Sequence, residues 1–188
     1  LATKYLIYFP GDVAVERWVQ SLVPQNLNWA LSPREAAEQQ RRLATLVIER
    51  NEFGAIKYVA GVDVGFEEDN SISRAAAVVL TFPQLAPLEA ALARRPVDFP
   101  YIPGLLSFRE APVLLEAFAR VQSAPGAVMV DGQGIAHPRG LGIASHIGVL
   151  LNLPTVGCAK ARLVGEFEAP GWKRSAQSPL RFRASIVG

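Results

Sequence analysis

Soft metal ligands are almost missing from this 188-residue chain, which has one cysteine, Cys158, and two histidines. A lone thiol excludes an internal disulfide and any cysteine-cluster zinc site, so nothing requires an oxidising compartment and the cytoplasm is the expected location. Long apolar runs are missing too. Tyr5-Leu6-Ile7-Tyr8-Phe9-Pro10 is far shorter than the ~20 residues a spanning helix needs, and it carries no signal-peptide cleavage pattern, so no membrane segment is expected. Charge is sparse, at 19% of residues, and the formal net charge of +2 is too small to announce a nucleic-acid binder by its sum. No repeat or low-complexity linker interrupts the chain.

What is present suffices for a folded core. Half of the residues are hydrophobic, and the length fits one compact domain, expected over 32–188, with an N-terminal arm or extension over 1–31. The basic residues are unevenly spread. Lys160, Arg162, Lys173, Arg174, Arg181 and Arg183 face only Glu166 and Glu168 across the same stretch, a local surplus that suits phosphates or an ordinary solvated surface.

Ser32-Pro33-Arg34-Glu35 combines an N-cap serine, a proline at the first helical position and a glutamate placed to reach back, which predicts a helix over 33–50. Its Ala36, Ala37, Gln40, Leu43, Ala44 and Val47 recur at helical spacing. Apolar runs at 58–66 and 74–82 flank the polar Glu67-Glu68-Asp69-Asn70-Ser71 and predict two antiparallel strands; an alanine-rich run at 88–94 predicts a third. Helices over 111–122 and 140–151 then alternate with short buried strands at 127–131 and 155–159, and a last strand is expected within 180–187. A meander followed by alternating helix and strand predicts an α/β domain with a mixed sheet and helices on its faces.

Asp63 lies in the apolar run Val62-Asp63-Val64-Gly65, where a carboxylate is costly to bury without a partner. Asp131 ends Ala127-Val128-Met129-Val130, at the sheet rim where α/β folds bind ligands. Glu110, after Ser107-Phe108-Arg109, is placed to project a third carboxylate to the same rim. Three carboxylates on one rim call for a cation, and oxygen-only ligands favour Mg²⁺, with Mn²⁺ as substitute. Each one alone fits a capping, ion-paired or surface role better than a metal site. His137, in the loop beyond Asp131, suits orienting water or touching a phosphate, and Lys160, at another strand end, suits stabilising phosphate charge. Both also fit structural or surface roles, as does His146 in the following helix. Pro100-Tyr101-Ile102-Pro103-Gly104 holds two apolar side chains in a stiff loop. Two readings stand: a wedge that separates bases, or a turn that folds Tyr101 and Ile102 down.

These segments, with Val130-Asp131-Gly132-Gln133-Gly134, Ala136-His137-Pro138-Arg139, Gly142-Ile143-Ala144-Ser145-His146 and Thr155-Val156-Gly157-Cys158-Ala159-Lys160, closely resemble endonuclease V in order and spacing. The similarity extends through Leu163-Val164-Gly165-Glu166-Phe167 and covers about residues 33–179. It implies a ribonuclease H-like fold and hydrolysis of a phosphodiester on the 3′ side of a deaminated base, hypoxanthine above all, in DNA under repair.

The resemblance further implies that Asp63, Glu110 and Asp131 hold Mg²⁺, that His137 and Lys160 act near the scissile phosphate, and that Tyr101 in its loop of Pro100, Ile102 and Pro103 forms a strand-separating wedge. Gly132, Gly134 and Gly142 are candidates for lining a lesion-base pocket with main chain. His146 is expected at most to support the site from behind. Members of the family continue past the equivalent of Gly188 with another strand and helix, so a C-terminally truncated domain is expected. Two alternatives follow: an inosine-specific ribonuclease acting on inosine-containing RNA, and a catalytically weak lesion-binding protein. No obligate protein partner is expected.

Overall fold

The computed structural model of the chain describes residues 27–51 and 53–188. Most of the arm expected over 1–31 therefore lies outside the described residues; at its end, Leu27, Trp29 and Leu31 are half-buried against core side chains.

Helix α1, Pro33–Ala44, begins as its sequence directs: the Ser32 hydroxyl accepts from the Glu35 N–H at 3.3 Å while Glu35 Oε2 accepts from the Ser32 N–H at 2.8 Å. It ends six residues before the predicted boundary at 50. The Thr45, Leu46 and Val47 amides tighten onto the carbonyls three residues back, and the Thr45 hydroxyl takes the Arg42 carbonyl at 2.8 Å. β-Branched residues at 45, 47 and 48 give little support to continuing the helix.

Strands β1, Tyr58–Glu67, β2, Ile72–Thr81, and β3, Pro87–Pro96, form the predicted antiparallel meander, and the β1–β2 turn holds Glu68, Asp69 and Asn70 in the left-handed region. Helix α2, Leu106–Phe118, starts five residues earlier and ends four residues earlier than the helix predicted over 111–122, and it buries Pro112 in its interior. Strand β4, Ala127–Val130, helix α3, Ile143–Leu151, and strand β5, Thr155–Gly157, complete the body. The sheet order is β3-β2-β1-β4-β5, with β1, β4 and β5 mutually parallel. This is the expected mixed sheet. The last predicted strand is instead a small separate hairpin of β6, Arg181–Phe182, and β7, Ser185–Ile186, reversed by Arg183 at φ 55°.

Alternation along the strands turns Ala60, Val62, Ala75, Ala77, Val79, Val128 and Val130 into one core beneath α2 and α3. The alanines that weaken β3 as a strand signal have a use here: Ala91 and Ala93 are buried small residues over which the helix lies close. The opposite sheet face carries exposed Leu92 and Met129 among the described residues. A second, smaller core of Ala36, Phe99, Leu105 and Phe108 joins α1 to the segment before α2. No described helix is long and apolar enough to cross a membrane.

Candidate active site

Parallel pairing sets the geometry. Val62 on β1 lies opposite Val130 on β4, so the residues that follow, Asp63 and Asp131, arrive side by side at the sheet rim. The Asp131 N–H confirms the level by donating to the Val62 carbonyl at 3.3 Å. Strand β5 is in register beyond it, with the Cys158 N–H on the Val130 carbonyl at 2.9 Å, and delivers Lys160 to the same rim. Glu110 comes from α2. Asp63, Glu110, Asp131, His137, Lys160 and Tyr101 all line one open cleft of about 490 Å³. Ile102, Pro103, Gly132 and Gly142 line it as well, whereas Pro100 and Gly134 do not.

The carboxylates feel one another. Burial first, then the negative charges of Asp63 and Asp131, push the Glu110 carboxyl up to about 7, against a smaller opposing effect of Arg109. The Lys160 ammonium ion-pairs with Asp131 and is held above the ordinary lysine range by that contact. Asp63 spends one oxygen on the Val64 N–H at 2.8 Å. In this arrangement no three His, Cys, Asp or Glu side chains among the described residues close to metal-holding distance. The donor chemistry nonetheless fits a hard divalent cation: carboxylate oxygens only, raised in energy by mutual repulsion.

Gly132 and Gly142 let main chain come close at the cleft wall. Gly132 has φ +148°, and a Cβ on it would fall 2.4 Å from the Ile143 side chain; one on Gly142 would fall 2.3 Å from the Gln133 carbonyl oxygen. Gly142 is therefore the N-cap of α3 rather than part of the helix predicted from 140.

The proline-flanked loop divides its two apolar residues. Ile102 packs against the small core, while Tyr101 is 71% exposed at the cleft mouth. Arg109 braces the loop's entry, donating to the Phe99 carbonyl at 2.8 Å and the Asn70 carbonyl at 3.1 Å while its guanidinium lies over the Phe66 ring. His137 is 4% exposed and uses both ring nitrogens on protein, Nδ1 accepting from the Arg139 N–H at 3.2 Å and Nε2 meeting the Gly104 carbonyl at 3.0 Å. Burial and the Arg139 charge lower its pKa to about 4, so the ring is neutral. His146 is fully buried beside Phe108 and Trp29 and meets the Ser107 hydroxyl at 2.9 Å through Nδ1. Ser107 in turn lines the cleft.

One residue not singled out from the sequence is central to this wall. Gln40 of α1 is 1% exposed and bonds to both the loop and the segment before α3. Its signal was a lone amide on an otherwise apolar helical stripe.

Likeness to known proteins assigns this fold and cleft to a class, the nucleases, hydrolases of phosphodiester bonds. The family model described as endonuclease V matches residues 41–188. The endonuclease V of a Nostoc species is 53% identical over 161 residues, spanning 85% of this chain and 73% of the relative. The crystal structure of endonuclease V from Streptomyces avermitilis superimposes with a TM-score of 0.79 at 39% identity, over 87% of this chain and 72% of that one. A Ciona intestinalis endonuclease V, crystallised with a 23mer DNA containing an inosine followed by a ribo-adenosine, matches with a TM-score of 0.62 at 28% identity over 70% of this chain and 59% of its own. The chain belongs to the endonuclease V family.

Proposed function

We propose that this nuclease hydrolyses the phosphodiester on the 3′ side of a deaminated base in DNA, hypoxanthine above all, as a Mg²⁺-dependent step of DNA repair. The observation that carries the reading is the sharing of one cleft by Asp63, Glu110, Asp131 and Lys160, with the exposed Tyr101 at its mouth. The inosine-bearing DNA held by the Ciona relative supports the lesion class.

Asp63, Glu110 and Asp131 would hold the cation, with Mn²⁺ as a substitute. When bound, it supplies a lowered pKa for water and a neutralising charge for the phosphate. Lys160 then turns its ammonium from Asp131 to the charge that builds on the phosphate oxygens. His137, neutral and fixed, keeps the cleft wall in place near the phosphate. Gly132 and Gly142 allow main chain to contact the lesion base at a distance no side chain would permit. Tyr101 enters the base stack beside it.

Nicking of a labelled duplex with a single hypoxanthine tests this. Mg²⁺-dependent cleavage is expected there, absent from an undamaged duplex, abolished by chelation and abolished in Asp131→Asn, which retains lesion binding. Near-wild-type turnover by Asp131→Asn would sink the metal assignment. A second reading, cleavage of inosine-containing RNA, draws on the ribonucleotide that follows inosine in the Ciona complex. An RNA enzyme has to exploit the 2′-hydroxyl, so matched DNA and RNA substrates separate the two.

A further inference from the structure

The C-terminal end of the proline-flanked loop is held by three side chains on one carbonyl. Gly104, with φ +79°, ends the loop, and its carbonyl oxygen accepts from Gln40 Nε2 at 3.1 Å, Arg139 Nη2 at 2.6 Å and His137 Nε2 at 3.0 Å. The tautomer is settled by the Arg139 N–H donating to His137 Nδ1, which leaves the hydrogen on Nε2. Space is as tight as the bonding, since a Cβ on Gly104 would fall 2.9 Å from Arg139 Nη2.

Gln40 organises this junction. Its Nε2 also donates to the Leu141 carbonyl at 2.7 Å, and its Oε1 accepts from Arg139 Nε. One buried amide therefore ties α1, the loop and the segment leading into α3. A packing role alone would be met by an apolar side chain, without the hazard of a buried polar group losing a partner.

We infer that Gln40 is a positioning residue for the wedge: with Arg139 it fixes the angle at which the loop presents Tyr101 to the base stack. The inference rests on the proposed strand-separating role of Tyr101. Unstacking bases requires a few kcal/mol, and a loop that yields under load cannot deliver it. Ile102 seats the loop's middle in the small core and the Gly104 carbonyl locks its end, so Tyr101 is the part left to project.

The test compares wild type with Gln40→Met, which keeps length and volume but loses every hydrogen bond, and with Arg139→Lys, which loses the fork that spans Gln40 and Gly104. Two substrates are used, a hypoxanthine duplex and the same strand unpaired, together with a fluorescent 2-aminopurine beside the lesion that brightens when bases separate on metal-free binding. In both variants kcat/KM on the duplex is expected to fall about tenfold more than on the single strand, a barrier difference of about 1.4 kcal/mol. The fluorescence rise is expected to shrink in parallel. Equal losses on both substrates, or no loss on either, overturn the role. Wild-type binding without nicking would refute the nuclease reading instead, and the fluorescence arm would then decide on Gln40: equal brightening in wild type and variants overturns it.

Discussion

Lys160 leaves 82% of its side chain in solvent yet ends on Asp131, at the one rim where β1, β4 and β5 all deliver polar residues. An ammonium so placed is worth more in the transition state than in the free protein, because it trades a carboxylate for developing phosphate charge. Lys160→Met is expected to lower single-turnover nicking by about a hundredfold with little change in lesion binding; a variant within about threefold of wild type would return Lys160 to the surface. At this scale the sequence was informative where chemistry interrupts an apolar run. Asp63, Asp131 and Lys160 each stand at or beyond a β-branched stretch, so strand geometry dictated where they would emerge. Gln40 and Arg139 could not be read the same way. Their meaning lies in a carbonyl 64 and 35 residues distant along the chain, and no local pattern encodes that meeting.

Helix α1 is the element that brings Gln40 to the cleft, and its start is set by the Ser32–Glu35 capping box. Ser32→Ala removes one of the two reciprocal bonds and is expected to cost about 1 kcal/mol, measured as a lowered urea midpoint. Through Gln40 the loss should also weaken duplex nicking more than single-strand nicking. The α3 start obeys a harsher constraint. Gly142→Ala places a methyl 2.3 Å from the Gln133 carbonyl, so backbone on one side has to move, and that backbone lines the cleft. Lesion affinity should fall more than affinity for undamaged duplex, and wild-type affinities for both duplexes would remove these glycines from the lesion pocket. The element boundaries that the sequence misplaced share a cause. A β-branched end at Thr45, a proline at 112 and a glycine at 142 each have a local preference that tertiary contacts override or sharpen, and contacts are invisible to periodicity.

The architecture as a whole was legible because a polar turn between two apolar runs and the later alternation of helix and strand leave few ways to order five strands. How charge balances inside that architecture was not, since it depends on burial. His137 and His146 have pKa values lowered to about 4 from an ordinary 6.5, both chiefly by burial, so each is neutral in the fold and binds a proton more readily unfolded. Their contribution is intact above pH 6.5 and is lost as pH falls toward 4, about 3 kcal/mol for His146 and less, because solvent screens it, for His137. Glu110 works in the opposite direction. Its carboxyl is raised from 4.5 to about 7, so the folded state binds that proton more tightly and gains about 3 kcal/mol as pH falls through the same window. In chelator the wild-type protein should therefore lose only part of the histidine contribution between pH 7 and 5. Glu110→Gln removes the compensating proton, and its urea-derived stability should fall more steeply over that range than wild type. Parallel pH profiles for the two proteins would show that neither burial nor the charges of Asp63 and Asp131 raise the Glu110 carboxyl, and with that the case for a cation between the three carboxylates would lose its electrostatic basis.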